Sequence, residues 1–315
     1  MSFDGLTFVG KKVSAARVTR IKRYNMEAGR YEVLAAVGEG ASGRVFKARE
    51  TGGCQRLVAL KKVRVLEQME EGVPAFVIRE VGLLRKLEAF DHPNVVKLLD
   101  VSVEVQNQTS ELTLVFEYVD QDLCAFLASV AETGLSRWKI KDIMLQLLRG
   151  LDFLHTNMLV HRDLKPQNVL VSSHGEIKIA DFGLARIYSH HVALTPIVVT
   201  LWYKAPEVLL HSGYMSSVDM WSTGCIFAEL FLLRPLFCGY SDIQQLQKII
   251  DVIGLPAQED WPAESPIPYP ANWKSGNTLN QLLPNLHQEE RDLLLQFLAF
   301  NPSKHVSAFE AHLPG

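Results

Sequence analysis

Two short runs of this chain, at residues 161–168 and 181–183, combine an acid, a lysine, an amide and a second acid. The first run is His161-Arg162-Asp163-Leu164-Lys165-Pro166-Gln167-Asn168, and the second is Asp181-Phe182-Gly183. Together these groups can accept a proton from a hydroxyl, neutralise a phosphate and hold Mg²⁺ through oxygen ligands. We therefore interpret the rest of the chain around these two runs.

A glycine-rich run lies upstream of this pair. Its Gly-x-Gly-x-x-Gly spacing fits either a dinucleotide-binding turn or a hairpin that covers phosphates. A dinucleotide-binding turn would lead into a helix, whereas residues 44–49 alternate like a strand. We predict two strands joined by a flexible hairpin whose backbone amides lie over phosphates. The residues of this loop are Val37, Gly38, Glu39, Gly40, Ala41, Ser42, Gly43, Arg44 and Val45.

A third strand is predicted at Val58-Ala59-Leu60-Lys61, and its lysine would reach the α- and β-phosphates. Pro74 then opens a helix at a favoured first-turn position. Glu80 on that helix is the predicted counter-ion of Lys61. The alternative for Lys61 is an exposed strand lysine, an interpretation that fits Lys62 better. The alternative for Glu80 is a surface ion pair within its own helix.

With Ala205-Pro206-Glu207 added, about a dozen fixed residues stand in one order, and chance agreement is below ~10⁻⁹. The ordered set resembles the protein kinase signature from about Tyr31 to about Ala308. The resemblance implies an α+β, bilobal fold: a small, mainly antiparallel β N-lobe with one regulatory helix, and a larger α-helical C-lobe. We expect a flexible basic extension over 1–30, the N-lobe over 31–119 and the C-lobe over 120–315, truncated at its end.

The resemblance also implies roles for the site residues. Asp163 would accept the proton of the substrate hydroxyl, and Lys165 would stabilise charge on the transferring γ-phosphoryl group of ATP. Asn168 and Asp181 would hold Mg²⁺. A lysine two residues after the aspartate resembles serine/threonine kinases. The residues expected to line adenine and ribose are Ala59, Phe116, Glu117, Val119, Asp122, Gln167 and Leu170.

The segment between Asp181 and Glu207 contains a candidate phosphorylation site, Thr195. Three arginines are predicted to converge on a phosphothreonine there and to order the loop through charge-assisted hydrogen bonds. The alternative is an ordinary loop hydroxyl. The arginines are Arg79, Arg162 and Arg186.

Further stretches resemble the cyclin-dependent kinases, and within them the cyclin-dependent kinase 4/6 subfamily. They include Ile78-Arg79-Glu80-Val81, Val119-Asp120-Gln121-Asp122-Leu123 and Ala193-Leu194-Thr195-Pro196. The resemblance implies a D-type cyclin that docks the Pro74 helix, ankyrin-repeat inhibitors and an activating kinase acting on Thr195. It also implies proline-directed substrates of the retinoblastoma type at G1/S, in the nucleus and cytoplasm.

Several positions depart from that pattern. Phe76-Val77 replaces a polar pair on the Pro74 helix, Ser42 stands where the loop commonly has a tyrosine, and Ala41 offers no hydroxyl. His305 stands where kinases place an arginine that pairs with the glutamate matching Glu207. His305 and the short C-terminal part leave open a catalytically weak scaffold that sequesters cyclin or inhibitor. A small-molecule phosphotransferase is the third alternative, but it has no need of Thr195 and its arginines.

Composition and periodicity allow further predictions about the parts of the chain outside the site. The net charge of −3 favours neither nucleic acid nor an anionic membrane, and four cysteines without metal spacing indicate reduced thiols. Apolar residues at three- and four-residue spacing predict a helix over Ser136–Asn157. The apolar run Gly224–Leu233 is too short to span a membrane and predicts a buried helix. The proline-rich stretch Pro256–Pro284 is predicted to be a surface insert.

Overall fold

The computed structural model describes residues 30–40, 43–53, 55–66, 82–83, 91–106, 109–182, 185–187, 201–274 and 276–311. The predicted sites at Ala41, Ser42, Arg79, Glu80 and Thr195, and the departure at 76–77, lie outside the described residues. At Glu39, Gly40 and Arg186 the description is confined to the backbone. Of the helix predicted to begin at Pro74, the described pair 82–83 is helical.

The N-lobe is an antiparallel five-stranded sheet in the order β1-β2-β3-β5-β4. Alternation along β3 sorts its side chains: Val58 and Leu60 are buried in a small core on one face, and Ala59 and Lys61 face the other way. The predicted lysine strand is therefore confirmed. The strands are β1 Tyr31–Gly40, β2 Gly43–Glu50, β3 Leu57–Leu66, β4 Leu98–Gln106 and β5 Thr109–Glu117.

The two lobes are joined at the end of β5. Oε1 of Glu117 accepts from the backbone amide of Lys97, 2.8 Å away, and lies 3.1 Å from Nζ of Lys178 in the C-lobe. Asn94 adds a second tie, since its backbone oxygen accepts from the amide of Ile179 at 2.9 Å. The short strands that follow are β6 Gln121–Asp122, β7 Leu159–Val160, β8 Val169–Val171, β9 Ile177–Ile179 and β10 Arg186–Ile187.

The C-lobe is helical, as expected for the bilobal kinase fold. Its helices are α1 Leu123–Ser129, α2 Arg137–Thr156, α3 Pro206–Leu209, α4 Ser217–Leu232, α5 Asp242–Ile253, α6 Leu279–Leu282, α7 Gln288–Phe297 and α8 Ala308–Ala311. The hydroxyl of Ser136 caps α2 by accepting from the amide of Lys139 at 3.2 Å.

Both long helices follow the sequence pattern. The periodic apolar positions of α2, from Ile140 to Leu154, are buried. Helix α4 is buried along almost its whole length and ends at Leu233 in the left-handed conformation, at φ 55°. None of the helices in the described part of the chain has both the length and the apolar character needed to cross a bilayer.

The stretch from Pro256 to Pro284 is more than a surface insert, because apolar side chains anchor it in the C-lobe core. Trp261 is 8% exposed, and its ring stacks on Phe300 with 5.4 Å between the ring centroids. Leu279 and Leu283 are buried as well. Proline-rich composition marked the irregular backbone correctly but did not reveal these anchors.

Candidate active site

A buried carboxylate holds the backbone at the start of residues 161–168, the predicted catalytic loop. Asp219 on α4 is fully buried, and its two oxygens accept from the amides of His161 and Arg162, both at 2.8 Å. Nε2 of His155 lies 2.9 Å from the same carboxylate. Burial raises the pKa of Asp219, but the bonds from His155 and from the backbone outweigh it, and the pKa lies below its usual value. Arg162 adopts φ 73°, which positions Asp163 after it.

The predicted base, lysine and amide converge within this loop. Nζ of Lys165 lies 2.7 Å from Oδ2 of Asp163, and Nδ2 of Asn168 donates to the same oxygen at 3.1 Å. Asn168 also donates to the backbone oxygen of Asp163 at 2.7 Å. The carboxylate is thereby fixed in one orientation, and its lysine neighbour provides positive charge within reach of a transferring phosphoryl group.

The lysine of β3 faces the second acid across the cleft between the lobes. Nζ of Lys61 donates to Oδ1 of Asp181 at 3.1 Å, and Lys61 is 6% exposed. Burial raises the pKa of Asp181, but the charge and hydrogen bond of Lys61 outweigh burial, so the pKa of this carboxyl lies below its ordinary value. The predicted pairing of Lys61 with Glu80 lies outside the described residues and stays a prediction.

The residues at this site fit a bound magnesium ion. Asn168 uses its amide nitrogen on Asp163, which leaves its oxygen as a ligand atom, and Asp181 is an ionised carboxylate. Hard oxygen donors of this kind are what Mg²⁺ prefers, with phosphate oxygens and water completing its shell. Bound there, the ion would neutralise charge on the phosphates.

The predicted nucleotide-lining residues lie on strands of the N-lobe, in the connection between the lobes and early in the C-lobe. Phe116 and the backbone of Glu117 end β5, next to Ala59 on β3. An added Cβ at Gly43, where φ is +126°, would lie 2.4 Å from the oxygen of Lys62, so the hairpin needs glycine there. The other predicted residues that are among the described ones lie on β1 (Val37, Gly38, Glu39, Gly40), on β2 (Arg44, Val45), in the connection between the lobes (Val119) and in the C-lobe (Gln167, Leu170).

Asp122 has a second role. Its carboxylate caps α1, because Oδ1 accepts from the amide of Ala125 at 2.8 Å. Asp122 also pairs with Leu170 between β6 and β8. Helix α1 therefore holds Asp122 beside Leu170, and both belong to the set predicted to line adenine and ribose.

Two positioning contacts escaped the sequence analysis. One is the contact of Asp219 with the loop amides. An acid in a largely apolar helix is a sequence signal for such a buried polar contact. The other is Tyr214, whose hydroxyl accepts from Nη2 of Arg162. The backbone of Arg186 lies next to that of Val160, because the two residues pair between β10 and β7. The convergence on Thr195 stays a prediction, because Thr195 lies outside the described residues.

At the departure His305, the imidazole lies against backbone oxygens, and among the described residues no bond from it to the buried carboxyl of Glu207 is seen. Glu207 is 1% exposed; its Oε1 accepts from the hydroxyl of Ser217 at 3.1 Å, and its Oε2 is buried with no hydrogen-bond partner among the described residues. Burial raises the pKa of Glu207 to about 7. His305 lies 3.1 Å from the backbone oxygen of Ser217 and 2.6 Å from that of Ala299.

Comparison with known proteins agrees with this geometry. Residues 31–313 match the protein kinase domain family. Cyclin-dependent kinase 4 of Ovis aries is 53% identical over 290 residues, covering 91% of this chain and 95% of the relative. The Mus musculus protein of that name gives the same figures, and the Xenopus laevis one is 52% identical over 287 residues, covering 90% and 89%.

Fold and site together define a protein kinase, an enzyme that uses ATP and Mg²⁺. More particularly, the chain belongs to the cyclin-dependent kinases, a family of serine/threonine protein kinases of the cell cycle. The resemblance seen in the sequence is thereby confirmed.

Proposed function

We propose that the chain is a cyclin-activated, proline-directed kinase that transfers the γ-phosphate of ATP to Ser/Thr hydroxyls of retinoblastoma-type proteins at G1/S. The observation that carries the proposal is the arrangement of Asp163, held by Lys165 and Asn168, opposite the Lys61–Asp181 pair. A phosphate chain between the two groups would place its γ-phosphorus beside the base.

The reaction follows from that arrangement. The substrate oxygen forms a bond to the γ-phosphorus while the bond from that phosphorus to the bridging oxygen of ATP breaks, and ADP leaves. The hydroxyl proton passes to Asp163. Lys165, 2.7 Å from Asp163, opposes the negative charge of the transferring group, and Lys61 holds the α- and β-phosphates.

The proposed partners rest on the resemblance and on the similarity to Cyclin-dependent kinase 4. A D-type cyclin would dock the helix that begins at Pro74 and turn Glu80 towards Lys61. Another kinase would phosphorylate Thr195, where Arg79, Arg162 and Arg186 would receive the phosphate. Ankyrin-repeat inhibitors would oppose activation, and the enzyme would act in nucleus and cytoplasm.

The test is radiolabelled phosphate transfer to a retinoblastoma-type C-terminal fragment, with and without co-purified D-type cyclin. Asp163→Asn is the control for chemistry, and we expect it to abolish a transfer that requires cyclin. A stable cyclin complex that carries phosphorylated Thr195 and still transfers nothing would contradict the proposal and favour a scaffold. Absence of a complex would reject the D-type cyclin and direct attention to Phe76-Val77.

A further inference from the structure

Tyr214 lies against the arginine that precedes the catalytic aspartate. Nη2 of Arg162 donates to the hydroxyl of Tyr214, and the guanidinium carbon is 5.4 Å from the ring centroid. Tyr214 is 6% exposed and belongs to the C-lobe core, in the loop between α3 and α4. The contact therefore joins the rigid core to the catalytic loop.

The contact matters because Arg162 has a strained backbone and directly precedes Asp163. A φ of 73° is strained for a residue with a side chain, and it persists only where surrounding groups hold it. Asp219 holds the backbone of Arg162 through the amide. The long side chain has many rotamers and carries a charge in a half-buried place, so its orientation depends on the groups that bind the guanidinium.

We propose that Tyr214 is a positioning residue for catalysis: its hydroxyl fixes Arg162, and through Arg162 the backbone from which Asp163 projects. The hydroxyl matters most before activation, because a phosphate on Thr195 would give Arg162 a dianionic partner. This dependence on the activation state rests on the proposed function, whereas the positioning itself does not.

The main test is a double-mutant cycle on the full chain in complex with cyclin. Tyr214→Phe removes a single oxygen, and we expect kcat to fall about three- to tenfold while KM for ATP stays unchanged. In an Arg162→Met background the same substitution should cause no further loss, because its effect passes through the guanidinium. Tyr269→Phe is the matched control, since that hydroxyl donates to the oxygen of Pro256 at 2.9 Å, elsewhere in the C-lobe.

Two measurements make the cycle independent of the protein substrate. One is ATP hydrolysis by the complex. The other is amide hydrogen exchange over residues 159–170 in the full chain without cyclin, which we expect Tyr214→Phe to accelerate and Tyr269→Phe to leave unchanged. Additive losses in the cycle, or exchange that rises equally throughout α4, would show that Tyr214 acts as a packing residue and would overturn the proposal.

A comparison of the two phosphorylation states separates this proposal from the proposed function. If phosphorylation of Thr195 leaves wild-type kcat unchanged, regulation at Thr195 fails, and the cycle still decides the role of Tyr214. If phosphorylation raises kcat, we expect Tyr214→Phe to cost less in the phosphorylated enzyme. An equal or larger cost after phosphorylation would overturn the dependence on activation state.

Discussion

At the scale of single residues, buried charge determines how this kinase responds to its surroundings. Asp219 and Glu207 are both buried acids of the C-lobe, but they differ in their hydrogen bonds. Asp219 accepts from two backbone amides and lies beside His155, which keeps its pKa low. Glu207 accepts from one hydroxyl, and burial raises its pKa to about 7. The first acid organises the catalytic loop, and the second makes stability depend on pH.

Glu207 gives a testable pH dependence. Its folded pKa of about 7 exceeds the ordinary value of 4.5, so the stability it contributes is full below pH 4.5 and is lost as pH rises through 7. The total loss is on the order of 3 kcal/mol. Glu207→Gln removes this titration, and in urea unfolding we expect it to match wild type at pH 4.5 and to exceed it at pH 8.

The control for this prediction is Glu132→Gln, which removes the same charge from an exposed position. The difference between that variant and wild type should not grow between pH 4.5 and pH 8. Parallel stability curves for Glu207→Gln and wild type would refute the pH dependence.

At the scale of elements, close helix packing fixes the C-lobe. An added Cβ at Gly224 on α4 would lie 2.6 Å from Cβ of Phe297 and 3.0 Å from Cδ2 of Leu298. Both neighbours lie at the end of α7 and are buried. The glycine therefore allows α4 and α7 to approach more closely than any other residue would permit.

Gly224→Ala should consequently destabilise the protein, although alanine favours helices. We expect a loss of about 1–3 kcal/mol in the free energy of unfolding, because α7 must shift to admit one methyl group. Gly52→Ala is the matched control, since an added Cβ there meets nothing within 4 Å. Equal stability of the two variants in urea unfolding would contradict this account of the packing.

The sequence predicted elements better than it predicted contacts between them. Helix α2 and strand β3 follow from periodicity, which local side-chain spacing carries. The carboxylate of Asp219 on the loop amides and the hydroxyl of Tyr214 on Arg162 join positions more than fifty residues apart. Such contacts depend on how helices pack against each other. The local pattern of a single sequence does not show which distant positions that packing brings together. The catalytic set was recognisable because its residues stand close together in fixed order.

At the scale of the whole molecule, the site exists only where the two lobes meet. Lys61 comes from the sheet of the N-lobe, and Asp181 follows β9, which forms a small sheet with β6 and β8 in the C-lobe. A ligand that binds both residues therefore ties the lobes together. It also stabilises the folded protein by mass action, by about 2.7 kcal/mol at one hundred times its Kd.

MgATP should accordingly raise the melting temperature of the wild-type protein. The part of this rise that depends on Mg²⁺ is the part that EDTA abolishes, and we expect it to be absent in Asp181→Asn. The reason is that the amide keeps the shape of the carboxylate but lacks the charge that attracts Mg²⁺. Differential scanning fluorimetry measures both shifts. Asp260→Asn, an acid remote from the cleft that pairs with Lys304, is the control and should retain the wild-type response. A full magnesium-dependent shift in Asp181→Asn would remove Asp181 from the metal site.

The ties at Glu117 and Asn94 have a mechanical consequence. Glu117 connects the N-lobe to the C-lobe at the end of β5, beside the predicted adenine site, and Asn94 connects them just before β4. Relative movement of the two lobes at this edge has to break these contacts, at a cost of roughly 0.5–1.5 kcal/mol for each ordinary hydrogen bond. The predicted adenine site therefore borders a junction whose width is held by hydrogen bonds before any ligand arrives.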